Sequence, residues 1–550
     1  MTSSIATSIL EAVSSGLQRK TLNKCSRWTE KCRVMGSPYP GPWSFKHHPW
    51  LREMHDAEAE MIIGQKAAQM GYTEYVLNRA FFKIDIRKID CLYVLPAKNP
   101  DAGDFSASRF DSALDLSEHL QDVFSDVKNV GHKRAGTVNM YIRGSRSRSG
   151  LKSLPIGLLI LDEVDEMHQE NIPLAFERQS GQVEKQAILI STPTIDKYGI
   201  NDYYTKSTQE HFFFTCPCCS RQTELIFPDC LVITGDDPLS LKLKDSHLIC
   251  KECKSVLDHE TKHKWLQSGI WVPQYHDTDM RGFHINQLYS STIRPWEFAA
   301  SFLRAQTNPS DEQEFHNSKC GVPHLVKDAR INEADLVQCL KGYLNHDKSS
   351  PGSLITMGID IGKWIHFEVV EWKLAADLYN PDICASAKGR VLYTDKVLNF
   401  EDLDEVMYEY RPNMTVVDAN PERRKAFEFA QRFYGFVKLC FYGNNVKGKY
   451  IHEGTTELED TVTVDRTSWL DLSLGRFRNK TIAIPRNIST EYKENIKALV
   501  RIPGKDKDGN PTNRYDHIGA DHYGHARNYS EIALSIAAKI GGNISIGTGN

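Results

Sequence analysis

Three sets of residues have types and spacing that can do chemistry. The first begins at GQKAAQMGYTE, residues 64–74. A phosphate loop needs small residues, inward amides, a cation and a magnesium-binding hydroxyl. Against the pattern G-x-x-x-x-G-K-[ST], Gly71 and Thr73 fit, Tyr72 stands at the lysine position and Lys66 at the first glycine. Alone, the segment reads equally as an ordinary helix start. Its partner is LLILDE, residues 158–163, an apolar run ending in two carboxylates. Asp162 can hold magnesium through water, and Glu163 can orient or deprotonate an attacking water. A third run ends in ISTPT, where the Ser191–Thr192 turn can sense a γ-phosphate. Residues 127–161 hold seven Lys/Arg and no acid, including Arg143, Arg146 and Arg148. That run suits a solvated face, a polyanion contact, or an arginine supplied to a phosphoryl-transfer transition state.

The second set is Cys216-Pro-Cys-Cys219 and Cys250-Lys-Glu-Cys253. Two C-x₂-C pairs can each clamp one side of a tetrahedral ion, so a four-thiolate structural zinc follows, with Cys218 a possible substitute for Cys219. The third set is acidic: Asp360 in MGIDIG, Asp418 ending TVVDAN's apolar run, and Asp521 on an expected helix, with Asp516, His517, His522 and His525 close by. Acids on buried strands are costly without a cation. Together the three can hold two divalent ions about 4 Å apart, the arrangement that cleaves phosphodiesters. Residues 475–527 carry eleven Lys/Arg against six Asp/Glu, an excess that suits a phosphate backbone.

These residues need rigid elements to carry them. CLYVLPA (91–97), IGLLILDE (156–163) and KQAILISTPT (185–194) read as central strands of a parallel sheet. The partition that follows has six parts. Residues 1–45 form an N-terminal arm with a partner-binding helix, and 46–210 an α/β nucleotide-binding core. A cysteine module occupies 211–273, and a mostly helical remainder and linker 274–350. Residues 351–540 form a β-rich second domain closed by a helix over about 517–540, and 541–550 a glycine-rich tail. The 550 residues carry a net charge of −4, so overall charge neither demands nor forbids nucleic acid. No run is apolar enough for a membrane helix, and no secretory leader is visible. Thirteen cysteines in so long a chain favour a reducing compartment over a disulfide framework.

In this order the three sets resemble the large terminase subunits of tailed bacteriophages, in particular the phage lambda group, over about residues 36–540. The resemblance implies a P-loop ATPase domain of the ASCE class with a parallel sheet, a zinc-binding insertion, and a C-terminal RNase H-like α/β nuclease. It implies a loop of Lys66, Gln69, Gly71, Tyr72 and Thr73, with the lysine displaced to the loop's start. Asp162 and Glu163 become the Walker B pair, Ser191 and Thr192 the coupling motif, and Asp360, Asp418 and Asp521 the nuclease acids, Asp516 competing for the third place. His48-Pro49-Trp50 resembles an adenine-packing segment. The implied cofactors are ATP, Mg²⁺ at the ATPase, two Mg²⁺ or Mn²⁺ at the nuclease, and Zn²⁺. The implied partners are double-stranded DNA, a small terminase subunit, a procapsid portal and copies of the chain in a ring, all in the host cytoplasm. Two other readings are a helicase-like ATPase–nuclease of repair or restriction, disfavoured by the single set of nucleotide motifs, and a zinc-stapled DNA-binding scaffold with degenerate sites.

Overall fold

The computed structural model describes residues 22–544 except 125–126, 153, 307–308, 326–328, 375–382, 444–445, 447, 449, 455–459 and 506–510. The expected N-terminal helix therefore lies almost wholly outside the described residues, as does most of the glycine-rich tail. The chain divides into two compact units, residues 1–326 and 327–550.

The first unit is built on an eleven-stranded sheet. Its strands are β1 (Met61–Lys66), β2 (Cys91–Leu95), β3 (Val127–Asn129), β4 (His132–Ala135), β5 (Val138–Gly144), β6 (Leu158–Asp162), β7 (Gln186–Ser191), β8 (Glu210–Thr215), β9 (Gln222–Thr223), β10 (Ile270–Val272) and β11 (Met280–Ile285). The spatial order is β9-β8-β11-β1-β7-β6-β2-β5-β4-β3, with β10 also on β8. From β8 to β5 every neighbouring pair is parallel. The three expected strands are β2, β6 and β7, and each is buried along its length. A strand buried on both faces has no polar alternation to show, hence the continuous apolar runs.

Two expectations change. Residues 274–345 are not mostly helical at their start: MRGFHI is β11, paired with β1 over six residues at the middle of the sheet. The cysteine module is not separate either, since β8 and β10 belong to the main sheet and Phe212, Phe214 and Cys216 join its core.

The second unit holds β12 (Leu340–Lys341), β13 (Leu354–Ile361), β14 (Ile365–Lys373), β15 (Lys388–Val397), β16 (Met414–Asp418), β17 (Val437–Tyr442), β18 (Ile451–Glu453), β19 (Thr461–Val464) and β20 (Ile482–Pro485). Their order is β12-β20-β15-β14-β13-β16-β17-β19-β18. β13, β14 and β15 form an antiparallel meander, and β16 and β17 continue parallel to β13. The unit begins earlier than residue 351 because Ile331, Leu336 and Cys339 pack into its core beside Trp372 and Phe477.

One helix, α1 (Tyr72–Phe82), follows β1. In the second unit, α2 (Arg466–Arg478), α3 (Thr490–Ala498) and α4 (His522–Ile544) cover the sheet. The α4 register on β13 is readable atom by atom. Thr356 Oγ1 donates to Ser530 O at 3.1 Å, a side chain at Gly358 would overlap the backbone of Ala526 and Ser530, and Asp360 Oδ2 meets His522 Nδ1 at 2.9 Å. Two strand residues advance about 6.7 Å and four helical residues about 6 Å, so strand and helix stay in step as they run in opposite directions. Gly358 is thus what lets α4 sit close enough to bring His522 over Asp360. Replacing it with alanine should lower the second unit's stability by about 1–3 kcal/mol or more, read by calorimetry as a fall in one thermal transition while the other stays put.

Candidate functional sites

In the first unit, Lys66 ends β1, Asp162 ends β6, and Ser191 ends β7. The three strands are adjacent and parallel, so their ends converge. Lys66 Nζ lies 3.0 Å from Glu163 Oε1 and 3.3 Å from Thr192 Oγ1. Ser191 Oγ is 3.4 Å from Glu163 Oε2 and donates to Thr192 O at 3.0 Å. Glu163 itself is in the left-handed region at φ 64°, a conformation found at functional sites more often than elsewhere. Asp162 is buried; its Oδ2 accepts from the Tyr93 hydroxyl at 2.6 Å, while its Oδ1 has no protein partner. Burial and the neighbouring Glu163 charge raise the Asp162 pKa, and Lys66, Tyr93 and Thr73 pull against them.

The loop between β1 and α1 turns on Gly71, whose φ of 82° suits glycine. It is braced from behind. The Ala67 amide donates to Ile285 O and the Ala68 amide to Ser318 O, and Trp50 Nε1 donates to Met70 O at 3.1 Å. Trp50 is completely buried, so it props the loop and has no free face for a base. Tyr72 is also turned away: its ring fills the space above Gly64, within 2.6 Å of where a side chain there would begin. Its side chain therefore does not take the place of the usual phosphate-loop lysine. Gln69 sits at φ 62° in the same turn.

Sequence reasoning missed Tyr93 and Asp165. Buried Asp165 organises the turn that carries Thr192: Oδ2 accepts from the Thr194 amide (2.8 Å) and hydroxyl (2.7 Å), and Oδ1 from the Ile200 amide (2.8 Å). Its only sequence signal is a place in the acidic run DEVDE. The basic run of 127–161 is divided. Lys133 is buried against Asp111, and Arg143 is bonded to the Gly131 and Ile142 carbonyls, whereas Arg146, Arg148 and Lys152 are exposed.

The four paired cysteines converge. One sulfur from each of Cys216, Cys219, Cys250 and Cys253 lies within 4.8 Å of the rest, and Cys216 and Cys253 Sγ are 3.9 Å apart. Sulfurs at 2.3 Å around a tetrahedral ion would be about 3.8 Å apart. Both pairs sit in the same tight turn, closed by Ser220 N to Cys216 O and Lys254 N to Cys250 O, with Ser220 and Lys254 left-handed. Cys218 is exposed and faces Ser255 Oγ at 3.1 Å, outside the group.

In the second unit, β13 and β16 run side by side with Ile359 opposite Val417, so Asp360 and Asp418 follow as neighbours. Burial and the Asp360 charge push the Asp418 carboxyl up to about 6. Asp521 does not sit on the helix but immediately before α4, and its nearest partner is His525 Nε2 at 3.3 Å. Burial would raise its pKa, but His525, His517 and Arg466 outweigh that and hold it down to about 2. Asp516 lies on a separate hairpin strand (Pro511–His517) near Arg514. Asp360 and Asp418 are thus neighbours on adjoining strands, and the His525 charge bears on both Asp418 and Asp521.

Comparison with known proteins gives two family matches. Residues 37–271 match the ATPase domain, and 280–412 the endonuclease domain, of the phage terminase large subunit gpA. No curated protein matches in sequence. Among solved structures, the chain is similar to the bacteriophage HK97 large terminase at 12% identity and TM-score 0.46, over 93% of this chain and 99% of that one. It is similar to the Thermus phage P74-26 large terminase ATPase domain at 15% identity and TM-score 0.31, over 49% and 91%. It is also similar to the large terminase of a thermophilic bacteriophage in complex with ADP, at 10% identity and TM-score 0.30, over 89% and 98%.

The Asp165 geometry gives a pH prediction. Burial pushes its carboxyl up to about 7, above the unfolded value. The stability it contributes is present at low pH and is lost as pH rises towards 7. Chemical denaturation should show wild type losing ground against Asp165→Asn between pH 5 and 7, with a constant difference above that.

Proposed function

Because the chain belongs to the phage terminase large subunits, DNA-packaging ATPases joined to an endonuclease, we propose that its two engines are the strand-end clusters of its two units. The observation that carries the ATPase assignment is the meeting of Lys66, Glu163 and Thr192, which are 97 and 126 residues from Lys66 in sequence yet within hydrogen-bond reach of its ammonium. In this reading Lys66 is the displaced phosphate lysine of a P-loop domain of the ASCE class. With the Ala67 and Ala68 amides already bonded, ATP phosphates are met by the amides at the start of α1, from Gly71 to Thr73, where the helix dipole favours an anion. Asp162, with an unpartnered buried oxygen and the Thr73 hydroxyl beside it, fits a magnesium ion. Such an ion, when bound, would neutralise the phosphate charge that develops on hydrolysis. Glu163 orients the attacking water, and its bond to Lys66 must open for it to do so. Asp165 fixes the Thr192 turn, so a shift of Thr192 on loss of the γ-phosphate is passed to the segment after β7. Exposed Arg146 and Arg148 are candidates from the basic run for meeting DNA or a neighbouring subunit's nucleotide.

The second unit's order β15-β14-β13-β16-β17, an antiparallel meander continued by parallel strands, supports an RNase H-like nuclease. The Asp360–Asp418 pair, a buried and a half-buried carboxylate on adjoining strands, fits a divalent site. Metal there would activate water and stabilise the leaving oxygen of a phosphodiester. Asp521 completes the acidic set from the start of α4. The four-cysteine group fits a structural zinc with Cys219, not Cys218, as ligand. In its biological setting the protein works in the host cytoplasm with a small terminase subunit, a portal and copies of itself. Among the described residues no helix is long and apolar enough to cross a membrane.

Glu163→Ala should cut steady-state ATP turnover by about 10²-fold or more while equilibrium binding of a labelled nucleotide changes little. Unchanged turnover would remove Glu163 from the mechanism. Acid denaturation followed by a colorimetric metal assay should release one zinc per chain from wild type and from Cys218→Ser, and none from Cys250→Ser. A zinc-free wild type would refute the structural site.

A further inference from the structure

His366 is a buried residue with nothing to do. It stands on β14 directly opposite Asp360 in the antiparallel register and is only 3% exposed. Neither of its ring nitrogens has a hydrogen-bond partner. Buried polar atoms are nearly always paired, and an orphan calls for a partner such as an ion or a water that the protein itself does not supply. The nearest acid on that side, Glu491, is 3.8 Å from His366 Nε2, beyond hydrogen-bond range, and is already held at 2.7 Å by Lys396. On the other side the ring lies parallel to His522, centroids 4.6 Å apart and planes 7° apart. His522 Nδ1 is in turn 2.9 Å from Asp360 Oδ2. One donor atom from each of Asp360, His366 and His522 falls within 4.8 Å of the others. Adjacent ligands of an octahedral ion with 2.1 Å bonds are about 3.0 Å apart, close to the Asp360–His522 separation. Three elements converge here, β13, β14 and the first turn of α4, and the fit of α4 at Gly358 fixes the last of them.

We infer that Asp360, His366 and His522 together hold one divalent ion, and that the two imidazoles make it a site for first-row transition ions such as Mn²⁺ in preference to Mg²⁺. The inference rests on the reading of Asp360 as a nuclease metal ligand and names two further ligands that the acids alone do not provide. Its chemistry is that of donor type. Mg²⁺ is a hard ion that takes oxygen and keeps its waters, whereas imidazole suits the transition series. A site of carboxylates only would suit Mg²⁺ and Mn²⁺ both and would give bound Mn²⁺ no nitrogen coupling.

The test is Mn²⁺ binding to the full chain without nucleotide, followed by electron paramagnetic resonance, with nitrogen coupling read from the spin-echo modulation of the bound ion. Wild type should bind Mn²⁺ with ¹⁴N modulation, and an equal concentration of Mg²⁺ should not displace it. His366→Ala and His522→Ala should each weaken binding at least about tenfold and reduce the nitrogen signal, with melting temperatures in EDTA confirming that they fold. His316→Ala is the control, because Glu312, His316 and His324 form another group of donors within reach of one ion. Bound Mn²⁺ in wild type with no nitrogen coupling would overturn the inference without any variant. So would a nitrogen signal that survives His366→Ala and disappears in His316→Ala, or Mg²⁺ displacing Mn²⁺ at equal concentration. Nitrogen-coupled Mn²⁺ in a protein that never cuts DNA would support the ligand assignment and count against the nuclease reading, so the two failures are distinguishable.

Discussion

Each unit depends on a carboxylate held at the end of an apolar strand and out of water. Such a group is expensive unless a cation answers it. The surroundings of Asp162 and of Asp360 can be understood as the means of keeping that cost in place. Asp162 has Tyr93 bonded to one oxygen and no hydrogen-bond partner on the other, with Thr73 nearby, and Lys66 arrives from a strand two places along the sheet. Asp360 has Asp418 on the neighbouring strand and His522 from the covering helix. In both units the sheet holds in place the carboxylates that the proposed mechanism gives to a divalent ion.

Rigid supports make that arrangement tolerable. In the second unit Arg476 and Arg527 are fully buried, share Glu531, and flank the Trp372 ring at 4.8 and 5.1 Å; Arg527 also reaches Glu368 at 3.3 Å. This network ties α2, β14 and α4 together. Removing one partner would strand a buried charge, at about 3–5 kcal/mol, which makes the register of α4 hard to slip. In the first unit neutral groups share this role with Asp165. Asn317 donates to the carbonyls of Pro193 and Thr194, and Gln65 spans to Gly321 O and Asn201. The strand end and the coupling turn are thus fixed from both sides.

The strands that carry Lys66, Asp162 and Ser191 were legible because fully buried parallel strands leave unbroken apolar runs. β11 was not, because MRGFHI alternates, contains glycine and looks like the start of a polar helical stretch. The cysteine pairs were legible from spacing, but the choice of Cys219 over Cys218 needed the tight turn that points Cys218 at Ser255. The tryptophan of the supposed adenine segment and Tyr72 were misplaced for one reason: sequence gives the residue type but not the side of the loop on which it falls. The histidines around Asp360 were least legible. Their meeting depends on a cross-strand register and on how closely a helix can approach one glycine, and neither leaves a local pattern.

The central claim is that one chain carries two separable engines, and the most direct measurement is DNA packaging into procapsids scored by protection from added nuclease. With a pre-cut linear DNA as substrate, Asp360→Ala should package as well as wild type and Glu163→Ala should package nothing; with concatemeric DNA, both should fail. Protection of linear DNA by Glu163→Ala, or its loss in a folded Asp360→Ala protein, would contradict the account.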